Sequence, residues 1–80
     1  MKEIDIEVFV KSLGHCIKDL RTKQEMTQLD LAIKSEIDVR QIQRLERGHT
    51  SATLKTLLKI TSGLNINITE LFKILQKENL

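Results

Sequence analysis

Arg40, Arg44 and Arg47 recur at i, i+4 and i+7 within the stretch IDVRQIQRLERG, residues 37–48. On a helix they fall along one face, while Ile42 and Leu45 fall along another. Like charges so placed cost about 0.2–0.5 kcal/mol per pair, so the stripe needs a reason. A guanidinium is a rigid planar fork of donors that pairs bidentately with guanine O6/N7 and binds phosphate. Gln43 on the same helix carries a donor and an acceptor together, which suits adenine N6/N7, and Val39 suits a thymine methyl. In a major groove lined by phosphates the repulsion between the arginines is relieved. An Arg- and Gln-rich face is also the composition of an ordinary solvated surface, so the place of this helix in the fold decides between the two.

The chain has 80 residues, no proline, three glycines, two phenylalanines and no Trp or Tyr. Leu and Ile dominate its apolar set and Lys, Glu, Gln and Arg its polar set, a mix that favours helices. An all-α single domain over residues 1–80 is expected, with little room for a walled catalytic cleft. The formal charge of +2 is too mild to argue for nucleic acid by itself. One cysteine rules out an intrachain disulfide, and Cys16 with two histidines is far from a zinc-finger spacing; no metal or cofactor is expected. The N-terminal stretch is interrupted by Glu3, Asp5, Glu7 and Lys11 and is not a signal peptide. No 18-residue apolar run occurs, so a soluble, cytoplasmic chain is expected. Paired carboxylates in a cleft, a Cys/His arrangement and a glycine-rich phosphate loop are all missing, which argues against an enzyme.

Apolar periodicity predicts five helices. The first runs from about Asp5 to Lys23, with Phe9, Leu13, Cys16, Ile17 and Leu20 on one face. Cys16 there reads as a buried structural thiol and His15 as a solvated side chain. The second, about Gln28 to Ser35, is capped by Thr27 with Asp30 at the box position and turns Leu31 and Ala32 inward. The third, Val39 to about Arg47, has Asp38 as its N-cap, Gln41 at the box position and Gly48 where a left-handed residue is wanted. The fourth, about Leu54 to Gly63, is capped by Thr53 and has Leu54, Leu57, Leu58, Ile60 and Leu64 as apolar positions. The fifth starts after Asn67, whose box partner is Glu70, and carries Leu71, Phe72 and Leu75 as its stripe. Only residues 35–38 separate the second helix from the third. Two short helices joined so tightly must cross steeply, a helix-turn-helix geometry that leaves Val39, Arg40, Gln43, Arg44 and Arg47 on an outer face.

The stretch MTQLDLAIKSEIDVRQIQRLERG resembles the helix-turn-helix of the lambda-repressor and Cro-like family, also called the xenobiotic-response-element family. The likeness runs from Leu13 to Phe72 through Leu20-Arg21, Thr27-Gln28, Leu31-Ala32, Ile37, Ile42 and Leu45-Glu46-Arg47-Gly48. It continues through Thr53-Leu54, Leu57-Leu58, Ile60, Leu64 and Glu70-Leu71-Phe72. The resemblance implies base reading by Val39, Arg40, Gln43 and Arg44. It implies backbone contacts by Thr27, Gln28, Arg47, Gly48, His49 and Thr50, with Gln28 also buttressing the recognition helix. It also implies an internal ion pair between Arg21 and Glu46, so that Glu46 is structural. The chain departs from the family at Glu36 and Asn65, where Gly is usual, at Ala52, where Pro is common, and at Thr61, where Ala is usual. A left-handed Glu36 would cost about 1 kcal/mol, whereas Asn tolerates that conformation.

The expected function is that of a sequence-specific transcriptional regulator of double-stranded DNA, similar to small stand-alone repressors and to the controller proteins of restriction-modification systems. With no second domain expected, regulation would come from concentration, dimerisation or competition for sites. One recognition helix reads too few base pairs for a genome, so a homodimer on a two-fold operator is expected. Ile66, Ile68, Ile74 and Leu75 are the expected dimer contacts, and Ile4, Ile6, Val8 and Val10 are candidates to join them. The alternative is an antitoxin, whose main partner is a toxin protein and whose DNA binding is autoregulation.

Overall fold

A computed structural model describes residues 5–79; Ile4 lies outside them. Five helices follow in order: α1 (Ile6–Lys23), α2 (Gln28–Ser35), α3 (Val39–Glu46), α4 (Leu54–Gly63) and α5 (Ile68–Asn79). The second and fourth have the expected bounds. Asp5 is the N-cap of α1 rather than its first residue, its carboxylate accepting from the Val8 N–H at 3.2 Å.

The N-terminal caps are those that the sequence suggests. Thr27 and Asp30 exchange hydrogen bonds: the Thr27 N–H donates to Asp30 Oδ2 at 2.9 Å and the Asp30 N–H to Thr27 Oγ1 at 3.0 Å. The bonds from the Thr27 backbone and hydroxyl hold the Asp30 carboxyl below its ordinary pKa. Thr53 accepts from the Thr56 N–H, and Asn67 from the Glu70 N–H. Asp38 caps α3 through the Arg40 N–H at 2.8 Å; the reciprocal bond expected from the Gln41 side chain is not formed.

The C-terminal ends share one device. After α1, α2, α3 and α4 stand Glu25, Glu36, Gly48 and Asn65, with φ of 58°, 56°, 72° and 58°. In each case the next residue's N–H reaches back five residues: Met26 to Arg21, Ile37 to Ala32, His49 to Arg44 and Ile66 to Thr61. These are Schellman ends, in which the residue after the left-handed one packs back against the helix. Met26 is buried accordingly, and Ile37 and Ile66 are half-buried against the core. His49, in the same place after α3, stays exposed.

The core is one cluster drawn from all five helices and includes Leu13, Ile17, Leu31, Ile42, Ile60, Leu64, Leu71 and Leu75. Cys16 belongs to it, as expected, and His15 is exposed. α1 crosses α3 so closely at Gly14 that an added Cβ would fall on the Leu45 carbonyl. Leu54, Leu58 and Phe72, counted among the apolar positions of their helices, are exposed at 63%, 47% and 42%. Leu75 is corrected in the opposite sense. It is 1% exposed, its surface spent on the core of its own chain, and it cannot serve as a dimer contact. Ile66, Ile68 and Ile74 are half-buried against the same core. Ile6 and Val8 are exposed on the first turn of α1, and Val10 is half-buried.

Candidate nucleic-acid interface

α3 owes its setting to its inner face. Ile42 and Leu45 are buried and fix its rotation about its own axis. Glu46, one residue past Leu45, then points toward α1 and α2. Arg21 of α1 grips it bidentately, Nε to Oε2 at 2.7 Å and Nη2 to Oε1 at 2.9 Å. The third guanidinium nitrogen, Nη1, donates to the Met26 carbonyl at 2.7 Å. Gln28, the first residue of α2, donates its amide to Glu46 Oε1 at 3.1 Å. One carboxylate thus ties α3 to α1 and to the start of α2. Hydrogen bonding to Glu46 raises the Arg21 pKa against the opposing effect of burial, so the guanidinium is always charged.

With that inner face fixed, Arg40, Arg44 and Arg47 are all exposed. Val39 and Gln43 are half-buried, Val39 packing against the core. Thr27, His49 and Thr50 are exposed, and Gln28 and Gly48 half-buried. A groove of about 160 Å³ runs between α3 and the start of α4, lined by Gln41, Arg44, Thr50, Ser51, Thr53 and Thr56 among others, with no acidic residue in its wall. Among the described residues no cluster of His, Cys, Asp and Glu could hold a metal ion, and no helix is long and apolar enough to cross a membrane. A closely joined α2–α3 pair with a cationic outer helix is a geometry that can lay three guanidiniums into a groove of duplex DNA.

Residues 17–71 match the Helix-turn-helix family. The chain belongs to that family. Among its relatives, this helix-turn-helix chain is 33% identical over 66 residues to the control protein C.MunI of Mycoplasma sp, across 81% of this chain and 89% of that protein. The wild-type restriction-modification controller protein C.Esp1396I superposes with a TM-score of 0.82 at 36% identity, covering 88% of this chain and 91% of the other. The same protein, solved as a tetramer in complex with its natural 35 base-pair operator, gives 0.83 at 36% identity over 88% of this chain and 92% of that one. The family match spans α2 and α3 entire, together with Arg21 and Glu46.

Sequence reading found the arginine stripe through its spacing and the Arg21–Glu46 pair through the family resemblance. It used Gln41 as a capping residue and missed that this exposed side chain, beside the buried Leu45, lines the groove with Arg44.

Proposed function

We propose that this chain is a sequence-specific DNA-binding transcription regulator of the controller type, acting as a homodimer on a two-fold operator with α3 in the major groove. The observation that carries this reading is the exposed Arg40–Arg44–Arg47 stripe on a helix clamped from behind by the Arg21–Glu46–Gln28 network. Similarity to two controller proteins, one solved on its operator, supports it. Arg40 and Arg44, with Val39 and Gln43 beside them, are the proposed base-reading residues. Thr27, Gln28, Arg47, Gly48, His49 and Thr50 are the proposed backbone contacts, since phosphate binding asks for donors at the flanks of the reading helix.

The proposed dimer contact is formed around α4 and α5. Leu54, Leu58 and Phe72 supply exposed apolar surface there, with the half-buried Ile66, Ile68 and Ile74 contributing at their edges. Two copies then present two α3 helices to half-sites about one helical turn apart.

Binding to duplex DNA measured across a salt series, with the stoichiometry taken by sedimentation, tests this reading. Log affinity is expected to fall linearly with log salt, at a slope of about −0.9 per phosphate contacted, with two chains per operator. Affinity indifferent to salt, or one chain per site, would contradict it and turn attention to a protein partner such as a toxin.

A further inference from the structure

Gly48 stands after α3 with a φ of 72°, and its bare Cα is also a point of contact with α1. A Cβ built there would stand 2.8 Å from Lys11 Cγ and 3.1 Å from Lys11 Cα, so the Lys11 stem lies against the loop that follows α3. The stem is held, while the residue stays exposed and its ammonium makes no ion pair among the described residues. Beside it a groove of about 330 Å³ opens between the first turns of α1 and the loop. The loop wall carries His49 and Ser51, both exposed, whose side chains have no hydrogen-bond partner among the described residues. The Thr50 hydroxyl between them is spent on the Ser51 carbonyl at 3.2 Å. The α1 wall carries Lys11 and, one turn earlier, Glu7, with the apolar Ile6 and Val10 beside them. This stretch of α1 precedes residues 17–71, the segment that matches the family.

Resting on the DNA-binding role of α3 proposed above, we infer that this groove seats one phosphate of the DNA backbone beyond the end of α3, with Lys11 of α1 and the Ser51 hydroxyl as donors beside His49, and that Glu7 weakens the seat. Ammonium, imidazole and hydroxyl groups are donors to phosphate oxygens, and an ammonium acts as a point charge that needs no fixed angle. The apolar strip of Ile6 and Val10 suits the deoxyribose next to that phosphate, which favours a sugar–phosphate backbone over a free anion. The groove is continuous with the proposed DNA face through His49 and Thr50, so a duplex bound along α3 reaches it without a break in the surface. Glu7 is the one acidic side chain in its wall and repels the phosphate. Lys11 therefore adds affinity that is the same for every base sequence, and the footprint of each chain extends one phosphate past the helix-turn-helix.

The test measures the affinity of the full chain across a salt series, on its best-bound duplex and on random duplex, for the wild type, Lys11→Gln, Lys11→Arg, Glu7→Gln and Lys77→Gln. Lys11→Gln is expected to lose about threefold to tenfold of affinity per chain near about 0.1 M salt, equally on both duplexes, and to make the slope of log affinity against log salt shallower by about 0.9 per chain. Lys11→Arg keeps the charge and is expected to keep the wild-type affinity and slope. Glu7→Gln is expected to bind both duplexes more tightly. Lys77→Gln removes the same charge from the last turn of α5, which packs on α1 and α4, and is expected to keep the wild-type slope. A wild-type slope in Lys11→Gln, the same change of slope in Lys77→Gln, a loss confined to the best-bound duplex, or weaker binding by Glu7→Gln overturns the phosphate seat while leaving the DNA-binding role of α3 intact. A wild type whose affinity ignores salt overturns both. Lys11 and Glu7 are exposed, so these variants are expected to unfold at the wild-type temperature. Should Lys11→Gln unfold earlier, Lys11→Arg decides, since a folded chain that keeps the cation must keep the slope.

Discussion

Glu46 is a single carboxylate that accepts three hydrogen bonds, two from Arg21 and one from Gln28. Its side chain is 3% exposed and that of Arg21 9%, so neither charge has water to fall back on. Removing one partner of such a pair leaves the other buried and alone. Glu46→Ala is therefore expected to lower the unfolding free energy by about 3–5 kcal/mol, a large part of what so small a domain holds. Urea denaturation at neutral pH measures it; a loss below about 1 kcal/mol would show that solvent or another group supports Arg21. The two residues lie 25 positions apart, and no periodicity links them. Their pairing was readable only because the surrounding motif resembles a known family, and the part played by Gln28 as a third arm came with it.

The ends of the helices show why some boundaries are easier to read than others. Starts are set by short polar side chains that bond their own turn, and Thr27, Asp38, Thr53 and Asn67 could all be picked out by type and position. Stops are set by a backbone conformation, which announces itself when the residue is Gly or Asn and not when it is Glu. Gly48 and Asn65 were readable for that reason, and Glu36 through its departure from the family's Gly; Glu25, in the same conformation, carried no signal. Glu36→Gly should remove left-handed strain and raise stability by up to about 1 kcal/mol, read as an increased urea midpoint. A decrease would mean that the turn is held by the Glu36 side chain rather than merely tolerating it. At the other end of α2, the carboxyl of Asp30 has a lowered pKa in the folded state. Its contribution is therefore present above the ordinary Asp range, near about pH 4, and is lost as the pH falls through the lowered value. Asp30→Asn should reduce the difference in melting temperature between pH 6 and pH 3; an unchanged difference would show that the capping box does not depend on the charge. Leu54, Leu58 and Phe72 mark the limit of pattern reading, because an apolar residue beside the core stripe looks the same whether it meets its own chain or another one.

One core joins all five helices, so α3 is held by the stability of the entire chain and not by its own eight residues, too few for an isolated helix in water. The all-α class, the order of the helices and the helix-turn-helix pair α2–α3 were readable from composition, periodicity and spacing. The proposed dimer contact was less legible, since the apolar positions expected from sequence included Leu75, which the core consumes. The proposed function rests on a geometric division of labour: Ile42, Leu45 and Glu46 fix the orientation of α3, and Arg40, Arg44 and Arg47 are turned outward as a result. Selection of bound sites from random duplex DNA at physiological salt, with the wild type and Arg44→Ala in parallel, tests this division most directly. The wild type should enrich an inverted repeat, and Arg44→Ala should relax it at one position per half-site at a cost of about 1–3 kcal/mol. Failure of the wild type to enrich any sequence, or an equal loss by Arg44→Ala on selected and random DNA, would contradict a base-reading role for this helix face.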